Sequence, residues 1–89
     1  MKFTIVERKM KIDDDLRQYA LRKVEKLDRY FHQDSDTTLT FSELRGKQTV
    51  EITVRQSGLV VRAEETTTDM FASVDGAICS IERQIRKHK

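Results

Sequence analysis

Gln48–Gln56 reads Q-T-V-E-I-T-V-R-Q, with Val50, Ile52 and Val54 alternating against Glu51, Thr53 and Arg55. A period of two gives a strand one apolar and one polar face, and no other stretch of the chain shows it so cleanly. Arg45-Gly46-Lys47 stands just before it as a turn, and Ser57-Gly58 just after. Beyond the first turn, Thr37–Leu44 carries Leu39 and Phe41 in alternation. Beyond the second, Leu59–Glu65 sets Leu59, Val61 and Ala63 against Val60, Arg62 and Glu64. Strands joined by turns this short form an antiparallel meander.

Working outward, Lys2–Arg8 (K-F-T-I-V-E-R) places Phe3 and Ile5 on one side and predicts a further strand. Asp13-Asp14-Asp15 precedes a helical pattern, so Asp13 or Asp14 is positioned as N-cap, and the remaining carboxylates favour the positive end of the helix dipole. Leu16, Ala20, Val24, Leu27 and Phe31 recur at three- and four-residue spacing, which predicts a helix ending near Phe31. His32–Asp36 is polar and loop-like. After the meander, Thr68 or Asp69 is placed to cap a second helix whose stripe is Phe71, Val74, Ile78, Ile81 and Ile85. Gly76 falls on its outer side, where it is expected to cost helix propensity but no packing.

The expected fold is therefore α+β, in the order β-α-β-β-β-α. Two roughly parallel helices cover one face of a four-stranded sheet, because each element must bury its apolar side against another. The arrangement resembles the double-stranded-RNA-binding fold, α-β-β-β-α, with one more strand at the N-terminus.

The 89 residues suffice for a single domain, spanning 1–89, with one small core. There is no proline, so long uninterrupted elements are expected. Cys79 is the single cysteine, which excludes an intrachain disulfide and suits a reducing compartment. No apolar run approaches the roughly 20 residues of a membrane span. The N-terminus has no apolar segment of a signal peptide. The expectation is a soluble cytoplasmic protein that does not engage a membrane.

Lys and Arg total 17 against 15 Asp and Glu, so the formal net charge is only +2 and its placement matters more than its size. At about 100° per residue, Arg22, Lys26 and Arg29 lie on the side of the first helix away from its apolar stripe. Tyr19, Lys23 and Tyr30 flank that stripe on the same side, and Glu25 and Asp28 take the other flank. In the second helix Arg83, Arg86 and Lys87 gather on one side, with the opposite hand of rotation. Parallel helices in one left–right order would turn these flanks toward each other along one groove; in the other order the cations point outward at two edges. A basic groove of this type suits a folded RNA, whose phosphates Lys and Arg neutralise and on whose bases Tyr19 and Tyr30 are candidates to stack. The plain alternative is a solvated basic face whose last-turn cations complement the helix dipole.

Signals for chemistry are weak. The three aspartates lack the spacing of a calcium loop and are explained by capping. His32 and His88 have neither a cysteine pair nor a second histidine at ligand spacing, so no metal and no cofactor is implied. Cys79 is expected as a partly buried structural thiol. Glu43, Glu51, Glu64 and Glu65 are expected on a solvated sheet face rather than as an acid–base pair. Met10 and Met70 read as apolar fill. There is no phosphate-binding glycine loop, no GXXG and no aromatic strand motif, and an enzyme is not expected.

Taken together, several short pieces resemble the ribosome hibernation promoting factor family, also called the ribosome-associated inhibitor or sigma-54 modulation protein family. They are Asp13…Leu16…Tyr19; Lys23, Lys26-Leu27 and Arg29-Tyr30-Phe31; Arg62–Glu65 (R-A-E-E); Asp69–Asp75 (D-M-F-A-S-V-D); and Ile81–Lys87 (I-E-R-Q-I-R-K). The likeness covers essentially the whole chain. It implies a β-α-β-β-β-α ribosome-binding domain that docks on 16S rRNA of the small subunit, in 30S or 70S particles. There it would overlap the mRNA and tRNA sites near the decoding region and hold idle ribosomes inactive. The family's RNA contacts lie on the two helices, and the matching positions here are Lys23, Lys26, Arg29, Arg83, Arg86 and Lys87, with Arg22 on the same outer stripe. Asp69–Lys87 is most similar to the long form, which implies a piece of a two-domain protein, monomeric by itself and dimerising only through a further C-terminal domain. The competing reading is a protein-interaction module using the open sheet face or an edge strand.

Overall fold

The computed structural model describes residues 1–31 and 34–87, Lys87 by its backbone alone. The expectations for His32, His88 and the Lys87 side chain lie outside the described residues. The elements are β1 (Lys2–Arg8), α1 (Asp14–Glu25), a 3₁₀ turn (Lys26–Tyr30), β2 (Asp36–Leu44), β3 (Lys47–Gln56), β4 (Leu59–Thr67) and α2 (Met70–Lys87). The strands form one sheet in the order β1-β2-β3-β4. β1 runs parallel to β2, with Ile5 opposite Leu39, and the other neighbours are antiparallel.

The alternation read from the sequence sets the layers. Leu39, Phe41, Val50, Ile52, Val54, Val61 and Ala63 all face the helices and are buried. Against them pack Leu16, Ala20, Val24 and Leu27 from the first helical segment and Met70, Val74, Ala77, Ile78 and Ile81 from α2. The opposite sheet face is polar and rich in hydroxyls; Thr49 and Thr66, directly opposed, sit 2.8 Å apart through their oxygens. On it the Arg62 guanidinium bonds Glu51 across the β3–β4 pair. Both hairpins close through two residues with positive φ, Arg45 (53°) and Gly46 (81°), then Ser57 (45°) and Gly58 (82°). That is the type I′ geometry whose twist matches the flanking strands.

Several expectations change. The α-helix stops at Glu25 and tightens into the 3₁₀ turn, short of Phe31, whose backbone is already extended. The reason is spacing: Val24, Leu27 and Tyr30 recur every three residues, and three residues per turn brings all three to one side. Phe71 is 39% exposed and leaves the inner stripe to Met70, at 7%. At 100° per residue Phe71 belongs to the flank of α2 that meets α1. Cys79 is exposed, not partly buried, because it lies further round that flank. Of the four glutamates expected on the solvated face, Glu51 and Glu64 oppose each other there. Glu43 and Glu65 instead share the register of Phe41 and Ala63, on the helix-bearing face. Gly76 is not on an open outer side: a Cβ there would come within 2.5 Å of the Glu65 Cγ.

The helix starts are tied down as the capping residues foretell. Asp13 Oδ1 accepts from the Leu16 N–H at 2.8 Å, and Asp69 Oδ1 from the Phe71 N–H at 3.0 Å. Ser73, fully buried, donates its hydroxyl to the Gln48 carbonyl at 2.7 Å and lies 2.8 Å from the Thr67 hydroxyl, pinning the first turn of α2 to β3 and β4. At the edge strand β4, Gln84 of α2 donates to the Arg62 carbonyl at 2.7 Å and occupies a group that an added strand would need.

Among the described residues, two buried hydroxyls, Ser35 and Thr37, have no hydrogen-bond partner. Each bears a desolvation cost of about 1–3 kcal/mol. Thr37→Val replaces the hydroxyl by a methyl of similar shape and retains a strand-favouring branched side chain. It is expected to stabilise the domain by about 1 kcal/mol in urea unfolding, with an unchanged m-value.

Candidate nucleic-acid interface

α1 and α2 pack side by side, and the first residues between them are Tyr19 and Asp75. The Tyr19 hydroxyl donates to the Asp75 carboxylate, 2.7 Å from Oδ1 and 2.9 Å from Oδ2. Its ring meets Phe71 edge-on, with centroids 5.0 Å apart and planes at 72°. Lys23, one turn further along α1, sets its Nζ 5.4 Å from the Tyr19 ring centroid and 3.9 Å from Asp75 Oδ1. The Asp75 hydrogen bond, followed by burial and the carboxylate's charge, raises the Tyr19 phenol above its ordinary pKa. Tyr19 therefore stays a neutral donor throughout the physiological range.

This contact settles the order of the helices. Tyr19 and Lys23 point at α2, so the basic flank of α1 faces the helix–helix seam. Tyr19, Arg22, Lys23 and Lys26 line a shallow depression of about 250 Å³ above it. Arg22 and Lys26 are exposed and, among the described residues, make no ion pair. The facing column of α2 runs Phe71, Asp75, Glu82 and Arg86, by the helical period. One wall is thus basic along its length. The other begins acidic and becomes basic only at its end, with Arg86 on the shoulder and Arg83 on the crest, both exposed.

Arg29 lies apart from the depression, its guanidinium carbon 5.4 Å from the Tyr30 ring centroid, and Tyr30 packs on the core. Both tyrosines named as stacking candidates therefore already carry cations of their own chain, Lys23 and Arg29, at cation–π distance. Asp75 and Phe71 organise the seam, although the sequence places Phe71 in the apolar stripe and Asp75 only within the Asp69–Asp75 motif, with no site role for either. Their only signal is a position on the α1-facing flank, and that flank has no identity until the helices are packed. Among the described residues no group of three or more His, Cys, Asp or Glu is placed to hold a metal ion. No helix among them is long and apolar enough to cross a membrane.

Comparison with known proteins agrees with this architecture. The chain is 36% identical over 94 residues to the ribosome hibernation promotion factor of Lactococcus lactis, covering 100% of the chain and 50% of that protein. It is 30% identical over 89 residues to the ribosome hibernation promoting factor of Azotobacter vinelandii, covering 83% of that shorter relative. The crystal structure of the Thermus thermophilus Protein Y N-terminal domain superposes with a TM-score of 0.87 at 30% identity, covering 100% of both chains. The chain spans about half the length of several curated relatives that it matches. The family described as sigma 54 modulation protein / S30EA ribosomal protein matches residues 3–89, and the chain belongs to that family.

Proposed function

We propose that this domain is the ribosome-binding unit of a hibernation factor. It docks on the 16S rRNA of the small subunit near the decoding region, occupies space needed by mRNA and tRNA, and holds the ribosome idle without chemistry. The observation that carries the reading is the basic wall of α1 beside the helix seam, whose Arg22 and Lys26 make no ion pair among the described residues. Arg83 and Arg86 extend it along the end of α2, where Lys87 follows in sequence. Lys23 and Arg29, resting on Tyr19 and Tyr30, are pre-placed cations, so little side-chain entropy is lost when a phosphate replaces water. Family membership and the names of the relatives support a ribosomal partner and a cytoplasmic setting. The domain acts as a monomer; pairing of ribosomes belongs to any further region of a longer protein.

The test is cosedimentation with purified 30S subunits and 70S ribosomes across a salt series. Binding is expected to weaken steeply as salt rises, because each neutralised phosphate releases counterions. Binding that persists at high salt would overturn phosphate docking and turn the search to protein contacts through the open sheet face. The β4 edge is the weaker candidate for such contacts, since Gln84 already covers the Arg62 carbonyl.

A further inference from the structure

A second group of cations lies at the other end of the molecule, where β1 and β2 finish and the β2–β3 hairpin turns. Arg8 stands opposite Ser42, and Lys47 closes the hairpin opposite Leu44, all four in the register of the open sheet face. Arg8, Lys9, Ser42 and Glu43 line a depression of about 410 Å³, and Arg45 sits in the adjoining turn. Arg8, Lys9, Arg45 and Lys47 are exposed and, among the described residues, none makes an ion pair. Three of the nearby acids are engaged locally, while Asp14 and Asp15 stand exposed on the first turn of α1. Glu7 accepts from the Ile12 N–H at 2.7 Å and lies 3.9 Å from Arg17, Asp13 caps α1, and Glu43 accepts from the Gln48 side chain.

Two of these cations stand in the left-handed region, Arg45 because it opens the type I′ turn, as Ser57 does in the other hairpin. Lys9 and Arg45 have φ of 55° and 53°, the left-handed region in which Asn or Gly is the favoured residue. Among the described residues, neither has an ion-pair or side-chain hydrogen-bond partner that would offset the strain. A long cation held in a strained turn, pointing to water and paired with nothing, is the pattern of a residue kept for an external ligand.

We infer that this hairpin pole is a second docking surface for the sugar-phosphate backbone of RNA, distinct from the helix pole. The inference rests on the ribosomal reading above and extends it. Charge selects the ligand: the pole offers unpaired cations and hydroxyls but no aromatic face, so it suits phosphates and not stacked bases. Geometry selects its use. The molecule is 38 Å in its longest dimension. At 1.5 Å per residue, Arg83 and Arg86 lie about 20 and 24 Å along α2 from Met70, which adjoins the hairpin end. The domain thus bridges two backbone segments of one folded RNA, as a duplex-binding domain does across successive grooves.

The test is the variant Lys9→Asn/Arg45→Asn, bound to purified 30S subunits over a salt series beside the unmodified domain. Asn suits both backbone conformations, so the melting temperature is expected to rise by about 4 °C. Affinity at low salt is expected to fall about tenfold, and the slope of log K against log salt to become shallower by about 1.5. A variant that is more stable but has unchanged affinity and slope overturns the second pole and leaves the helix-pole reading standing. An unmodified domain that fails to bind overturns both. Gain of stability with loss of binding is a pairing that a purely structural role for Lys9 and Arg45 does not produce.

Discussion

Arg22→Glu/Lys26→Glu/Arg86→Glu is expected to bind 30S subunits at least about 100-fold more weakly than the unmodified domain at low salt, while folding normally. Each reversal removes a cation from the helix pole and adds a charge that repels phosphate. Loss of three contacts makes the salt slope shallower by about 2–3, at 0.7–0.9 for each phosphate. The fold tolerates the change because all three side chains are exposed and none forms an ion pair among the described residues. The identifiable structural costs are small: carboxylates in the last turns of α1 and α2 oppose the helix dipoles, and like-charge pairs form between position 22 and Glu25 and between Glu82 and position 86, each worth about 0.5 kcal/mol. Circular dichroism and thermal unfolding measured beside the binding assay separate the two effects. A folded variant with near-native affinity would remove the helix pole from the interface; a variant that fails to fold would make these residues structural.

The largest expected effect on stability comes from Gly76→Val. A Cβ at this position meets the Glu65 side chain at 2.5 Å from Cγ, 2.9 Å from Cδ and 2.6 Å from Oε2. The close atoms include Cγ, so rotation at the carboxylate end does not clear the space, and Glu65 must leave the β4–α2 interface. Overpacking of this type costs about 2 kcal/mol, which outweighs the few tenths of a kcal/mol that valine gains over glycine in helix propensity. Urea unfolding is expected to report that loss. In a Glu65→Ala background the same substitution should be close to neutral, giving a coupling of about 2 kcal/mol. An equal cost in both backgrounds would mean that the glycine matters for its own backbone and not for the strand beside it.

Much of the fold is legible from particular residues. Val50, Ile52 and Val54 alternate against polar neighbours, and a one-residue slip of β3 would expose all of them, so register follows from the pattern. Arg-Gly and Ser-Gly pairs between alternating runs leave room only for two-residue turns. Asp13 and Asp69 precede apolar stripes and accept the N–H groups that capping requires. The candidate site was legible in part. Arg22, Lys23 and Lys26 come together beside the seam, and Arg83 and Arg86 project at the end of α2. Asp75 and Phe71, which hold Tyr19 and so orient Lys23, are in the sequence only part of a motif and a core-stripe residue, not parts of the site. An acid and an aromatic four residues apart are commonplace on a helix until a second helix is laid against them.

Local periodicity by itself determined the element order, the apolar residues of the sheet and the inner stripe of each helix except Phe31 and Phe71, because alternation and capping depend only on residues close in sequence. The flanks of the helices were decided by tertiary structure. Packing turned Phe71 and Asp75 toward α1, left Cys79 exposed, pressed Gly76 against Glu65 and set the basic side of α1 along the seam. A flank is half apolar and half polar, so its burial energy barely differs between two orientations until a neighbouring element supplies a partner for each group.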